Sequence, residues 1–155
     1  MKNIIPEKIS IQFIKAYKTL VIASEEFLTK PVKPHSIKVN FGQMSAFNFE
    51  KKKIRIRIDV ILDGLNITGD DIGLHGEFGM EYHLHVKNLQ DFVVEEMGQK
   101  KVSGMLGETL MGIVYSTSRG IILEKTQGTY FNGAIIPIIS PRDLIEPPKE
   151  STKKL

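Results

Sequence analysis

His83 and His85 stand two residues apart, and His75 shares their parity. In a strand, residues at even spacing share one face. Three imidazoles on a face, with Glu81 as a further ligand, are donors that zinc accepts. No flanking ligand set completes such a site, and the same spacing describes a solvated sheet face. Ser103, Ser116 and Ser118 lack the strand–turn–helix setting of an activated nucleophile. Asp70-Asp71 lies in a turn without calcium-loop spacing. Gly104-Met105-Leu106-Gly107 follows no parallel strand, and phosphate-loop patterns are absent. Tyr115 and Arg119, four apart on a helix, can stack or hydrogen-bond, and local packing is their plainer role. The residue types that do chemistry therefore assemble no catalytic centre. The chain reads as a non-enzyme that uses no cofactor and no metal.

At 155 residues, with 41% hydrophobic and 25% charged side chains, the chain suits one domain with a real core. We expect that domain to span residues 1–146, with residues 147–155 a disordered charged tail. No cysteine is present, which excludes disulfides and thiolate metal sites. The opening MKNIIPEKIS has no continuous apolar core and does not read as a secretory signal. The longest apolar run, residues 135–139, contains a proline and is far too short to span a membrane. A cytoplasmic location is the expectation, without membrane insertion. Net charge is +3 and the pI about 9.0. Lysines gather at 51–53, at 100–101 and in the tail. A phosphate-binding patch is one reading of them. With no stacking platform or recognition motif alongside, nucleic acid is not the expected partner.

The elements that would position functional groups are legible in the hydrophobic pattern. Residues 10–24 are rich in Ile, Val, Tyr, Phe and Thr and predict a long strand. Ile11, Phe13, Tyr17 and Val21 share one parity, and Ile14, Ala16, Leu20 and Ile22 the other. With both faces apolar, this strand is expected to be covered on both sides or to pair across an oligomer interface. SEEFLTKPVKPH, with Pro31 and Pro34, reads as an extended connection. Ile37, Val39 and Phe41 alternate with polar residues, Gly42 marks a bend, and Phe47 and Phe49 resume the alternation. Ile54, Ile56, Ile58 and Val60 alternate with Arg55, Arg57 and Asp59. After the turn signals at Asp63-Gly64 and Gly69-Asp70-Asp71, Leu74, Phe78, Met80, Tyr82, Leu84 and Val86 oppose a polar set. One wet and one dry face predict an antiparallel sheet.

Residues 88–107 read as a short helical turn or loop anchored by Phe92, and residues 100–107 as a mobile stretch. From about Leu106 a helix follows three- and four-residue steps to Ile122, with Gly128 as its stop. Gly112, Ser116 and Gly120 make a ridge of small residues along it. Residues 129–145 are extended and broken by Pro137 and Pro141, with one helical turn capped by Ser140. The expected client-binding residues are apolar, and most fall outside clean amphipathic elements: Phe27, Leu28, Phe41, Met44, Phe47, Ile135, Ile136, Ile138, Ile139 and Leu144. Taken together they suggest a groove for extended apolar segments.

IQFIKAYKTLVI, then SIKVNFGQMSAFNFEKKKIRIRIDVIL, LHGEFGMEYHLHV and GIVYSTSRGIILEKTQGTYFNGAIIPIISPRDLI occur in that order. Colinear strands, a helix bearing Tyr115 and Arg119, a glycine stop at Gly128 and a Pro137-broken arm resemble a SecB subunit across residues 9–145. The resemblance implies an α+β fold: a four-stranded antiparallel sheet with a long helix packed on one face. It implies a homotetramer, a dimer of dimers, in which Gly112, Ser116 and Gly120 allow close helix contact. It implies an ATP-independent holdase for unfolded or partly folded proteins, bound in grooves between the crossover connection and the arm. Such chaperones serve protein export, as preprotein binders, or guard an antitoxin. An adaptor dedicated to one partner on the same fold is the alternative. Two departures stand out. Export chaperones dock the translocase motor on acidic sheet residues, so on this basic chain motor docking is doubtful. The family's substantial C-terminal helix is replaced here by Pro147-Pro148 and a short charged tail.

Overall fold

The computed structural model describes residues 2–145; the predicted charged tail lies outside them. Four long strands form one antiparallel sheet: β1 Ile9–Ala23, β2 Ser36–Asn48, β3 Lys53–Leu65 and β4 Asp71–Val86, in spatial order β1-β4-β3-β2. A small hairpin of β5 Val93–Glu96 and β6 Gln99–Val102 comes next. Between β1 and β2 lies a short helix, α1 Glu25–Thr29; after β6 come α2 Gly104–Lys125 and α3 Pro141–Ile145. The architecture is α+β, with four antiparallel strands and one long helix.

The alternation in β3 sets the two faces. Ile54, Ile56, Ile58, Val60 and Leu62 are buried, while Lys53, Arg55, Arg57, Asp59 and Ile61 are exposed. Antiparallel register carries this onto β4, where Leu84, Tyr82, Met80 and Phe78 pair with Ile54, Ile56, Ile58 and Val60. On the dry face α2 buries Leu106, Leu110, Met111, Val114, Tyr115, Ser118 and Ile122. Burial of such apolar side chains contributes about 1.5–3 kcal/mol each. A polar pair within this layer satisfies itself, since the Tyr82 and Ser118 hydroxyls share a 2.6 Å hydrogen bond.

Local chemistry fixes the ends of the elements. The β3–β4 turn is organised by Asn66, whose Oδ1 accepts from the Thr68 and Asp70 amides, with Gly69 at φ +84°. Ser103 caps α2 by accepting from the Leu106 amide, and Ser24 caps α1 by accepting from Phe27 at 3.1 Å.

Three sequence expectations are corrected. The connection after β1 is not wholly extended, because Ser24 followed by Glu25 and Glu26 is a cap and acidic first turn that nucleates α1. Residues 93–102 are a hairpin rather than a loop: Met97 and Gly98 both take positive φ, the geometry of a tight two-residue turn. The parity reading of β1 fails because the strand shifts register between Ile11 and Phe13 and again between Ala16 and Lys18. Each extra residue moves all later side chains to the other face. Ile11, Ile14, Ala16 and Val21 therefore share the dry face, and Phe13 and Leu20 the outer one. Among the described residues β1 is a sheet edge, paired only with β4, and Ile11, Phe13, Ile14, Tyr17 and Ile22 stay exposed.

Candidate functional site

The chain leaves α2 through a pinned turn. Thr126, fully buried, donates its hydroxyl to the Ile122 carbonyl and accepts from the Ala134 amide, both at 2.7 Å. Gly133, at φ +82°, donates to the Thr126 carbonyl. This turn reverses the chain and lays the arm, residues 134–140, alongside α2. Two side chains of the helix then clamp the arm's backbone. The Tyr115 hydroxyl donates to the Pro137 carbonyl at 2.5 Å, and Arg119 Nε donates to the Ile136 carbonyl at 2.8 Å. The Tyr-x-x-x-Arg pair thus reaches across to the arm and is more than local helix packing. Burial pushes the Tyr115 pKa up, opposed by the nearby Arg119 charge.

Held this way, the arm divides its side chains. Ala134 and Ile136 are buried, each 2% exposed, while Ile135 and Ile138 are 76% and 82% exposed. Ile136 is therefore a core anchor and cannot line an open groove. Phe27 is likewise core, at 3% exposure, because α1 turns its ring inward against Tyr130, 5.0 Å away edge-to-face. Leu28, beside it, stays exposed.

β2 forms the other wall. It pairs with β3 alone, and among the described residues no backbone hydrogen bond joins it to a further strand. Its dry-face residues run Ile37, Val39, Phe41, Gln43, Ser45, Phe47. A cleft of about 590 Å³ opens at the first end, between the 33–36 connection, Ile37, Val39 and the arm from Tyr130 to Pro137. A second, of about 310 Å³, opens at the other end, between Phe47, β6, the start of α2 and Ile145. Between them Phe41 packs edge-to-face on Tyr115 at 5.3 Å.

Of the ten predicted groove residues, Ile135 and Phe47 line these clefts. Ile138 is exposed on the arm, and Phe41, Ile139 and Leu144 are half-buried against the core. Met44 is displaced to the outer face, where it pairs with Arg57 in register and is 63% exposed. Its parity differs from that of Phe47, so one face cannot hold both. The helix ridge also divides. Gly112 is covered within the chain by Pro141, whose ring lies 3.3 Å from where a Cβ would sit. This removes Gly112 from any open helix contact. Ser116 and Gly120 remain exposed beside Ile135.

The histidines do not converge. His83 meets Glu81 at 2.6 Å and stacks on Phe13, with centroids 4.0 Å apart. His75 meets Asp63 at 2.6 Å and Glu77 at 3.0 Å. Because carboxylates only accept, a ring engaged by two of them is the imidazolium, and its pKa is raised by Asp63 first and Glu77 second. Among the described residues no group of three or more His, Asp and Glu side chains could hold a metal ion. Nor, among them, is any helix long and apolar enough to cross a membrane.

Neither a protein-family model nor a curated protein matches the chain. Among solved structures it is similar to the Mycobacterium tuberculosis Rv1957 SecB-like chaperone in complex with a ChAD peptide from the Rv1956 HigA1 antitoxin. That likeness has a TM-score of 0.61 and 13% identity, over 87% of this chain and 92% of the other. It shows a SecB-like fold. A protein of unknown function from Streptococcus agalactiae is also similar, at TM-score 0.44 and 11% identity, over 84% of this chain and 97% of that one.

Proposed function

We propose that this chain is a divergent SecB-like chaperone that holds non-native polypeptide segments without ATP and without a catalytic site. One observation carries the reading. Two isoleucines, Ile135 and Ile138, are held out to solvent on an arm whose backbone is fixed by Tyr115 and Arg119, beside clefts at both ends of the β2 edge. A rigid backbone presenting apolar side chains binds at low ordering cost. Each Å² of client apolar surface covered contributes about 25 cal/mol before that cost. The Rv1957 complex with an antitoxin peptide supports a peptide as the occupant. It also favours a second reading, an adaptor dedicated to one partner. In either case we place the protein in the cytoplasm as a homotetramer, with Ser116 and Gly120 on the open side of α2 available for helix contact.

The test is dilution of a denatured model protein with and without this chain, without nucleotide, while light scattering is followed. Suppression at near-stoichiometric ratio, weakened by Ile138→Asp and Ile135→Asp, is expected for the holdase. No suppression by a folded wild-type chain, with one stoichiometric complex in pull-downs, selects the adaptor. Neither activity overturns both readings.

A further inference from the structure

The outer face of the sheet is divided by charge. In its middle and at the Leu65 end of β3, cations meet carboxylates. Lys18 pairs with Glu77, Arg57 with Glu81 at 3.3 Å, and His75 with Asp63 and Glu77. The Tyr17 hydroxyl donates to Asp59, and Arg57 lies over the Tyr17 ring at 4.8 Å. At the Lys53 end this compensation stops. Lys53 and Arg55 are exposed, and neither forms an ion pair or side-chain hydrogen bond among the described residues. Glu81, the nearest acid in register, is already taken by His83 and Arg57 and feels Arg55 only through space. Lys51 and Lys52 in the adjoining turn add positive charge, against Glu50 alone in that turn.

These two cations line a concavity of about 350 Å³ at the strand ends, with Gln12, Phe13, Asn48 and His83 around them and Phe47, Ile54 and Leu84 as its apolar part. Ala46 stands opposite Arg55 in register, so a small side chain leaves the guanidinium uncovered. The amides of Gln12 and Asn48 supply neutral donors at the rim. An uncovered guanidinium and an ammonium two strand positions apart, roughly 6.6 Å along the chain, match alternate carboxylates of an extended segment. Arg binds a carboxylate through two parallel hydrogen bonds.

We propose that this corner of the outer face binds an acidic peptide segment of a partner protein, of the form Glu-x-Glu, with Arg55 and Lys53 each taking one carboxylate. A nucleic acid fits the surface less well. Along β3 the cationic strip ends at Asp59, with Glu81 opposite Arg57 and Glu77 opposite Ile61 on β4, so a phosphate backbone continuing along the sheet would meet carboxylates. One face of Phe13 is already stacked on His83, and Lys15 Nζ lies 5.2 Å from the same ring's centroid, which leaves it a poor platform for a base. Arg55 and Lys53 lie on the opposite face of the sheet from the arm, and the concavity meets the second cleft only at Phe47, so the proposal stands whether or not the chain is a chaperone.

The experiment is fluorescence anisotropy of a labelled octaglutamate peptide against the full chain at low salt. A labelled octaglutamine peptide and a single-stranded octanucleotide serve as comparison probes. We expect the glutamate peptide to bind more tightly than both. Lys53→Gln/Arg55→Gln should weaken it roughly tenfold, and Lys125→Gln, at the end of α2, should leave it unchanged. Arg55→Lys keeps the charge but loses the paired hydrogen bonds, and should weaken it by a smaller factor. It serves as the readout should the double variant fail to fold. Octaglutamate affinity that is absent, unchanged in these variants, or below that of the oligonucleotide would overturn the proposal.

Discussion

The two faces of one sheet obey different rules. On the dry face, β3 and β4 present Ile54 to Leu62 and Phe78 to Val86 to α2, and each side chain is held by close packing. On the outer face the same strands present charged groups whose partnerships are half-exposed ion pairs. Packing in the first layer is sensitive to a single methylene. Ion pairs in the second are screened and add little individually. The fold is therefore held by one face, which leaves the other free to vary in charge.

Leu110→Ala should have the largest effect, because it opens a cavity in the fully packed layer. About 2–5 kcal/mol of stability should be lost, read as a lower midpoint in denaturant. Gly79→Ala tests a place where the outer face is also crowded. The Tyr17 ring lies across Gly79, and an added Cβ would fall inside it. We expect a loss of about 1–3 kcal/mol, with displacement of the Tyr17 hydroxyl from Asp59. A neutral result would mean that β1 slides at its register shift.

Tyr115→Phe removes one clamp bond and should cost about 0.5–1.5 kcal/mol. Amide exchange should quicken in the arm more than in β3. The smallest effect belongs to the outer face. The folded His75 pKa is raised, so its contribution is complete below the ordinary value of 6.5 and is lost as pH rises through the folded pKa. Glu77 is lowered, by His75 first, so its contribution is present above 4.5 and fades as pH falls through its folded pKa. His75→Gln should flatten the upper limb of stability against pH and leave the Leu110 effect unchanged. An unaltered upper limb would show that the Asp63–His75–Glu77 contact contributes nothing.

How much of the molecule is legible in its sequence varies with the range of the interaction. The alternation of β3 and β4, the period of α2 and the Ser140-Pro141 turn are local signals, and each names its element. The β5–β6 hairpin escapes a sequence reading because Met97-Gly98 is not one of the strong two-residue turn pairs. α1 escapes it because two prolines downstream mask the Ser24 cap. In the candidate site, the apolar surplus points to the arm, yet it cannot separate Ile135 from Ile136 or Met44 from Phe47. Thr126, which pins the arm, carries no sequence signal, since a threonine after a helix is ordinary.

By itself, then, the sequence determined which strands alternate, where the long helix runs, and that an apolar arm comes after a glycine stop. These depend on neighbours within a few residues and on periods of two and 3.6. Only the tertiary structure decided that β1 shifts register twice, that Tyr115 and Arg119 grip carbonyls of the arm, and that Gly112 is covered by Pro141. Each of these joins residues from separate elements, so the contact exists only after the chain has folded.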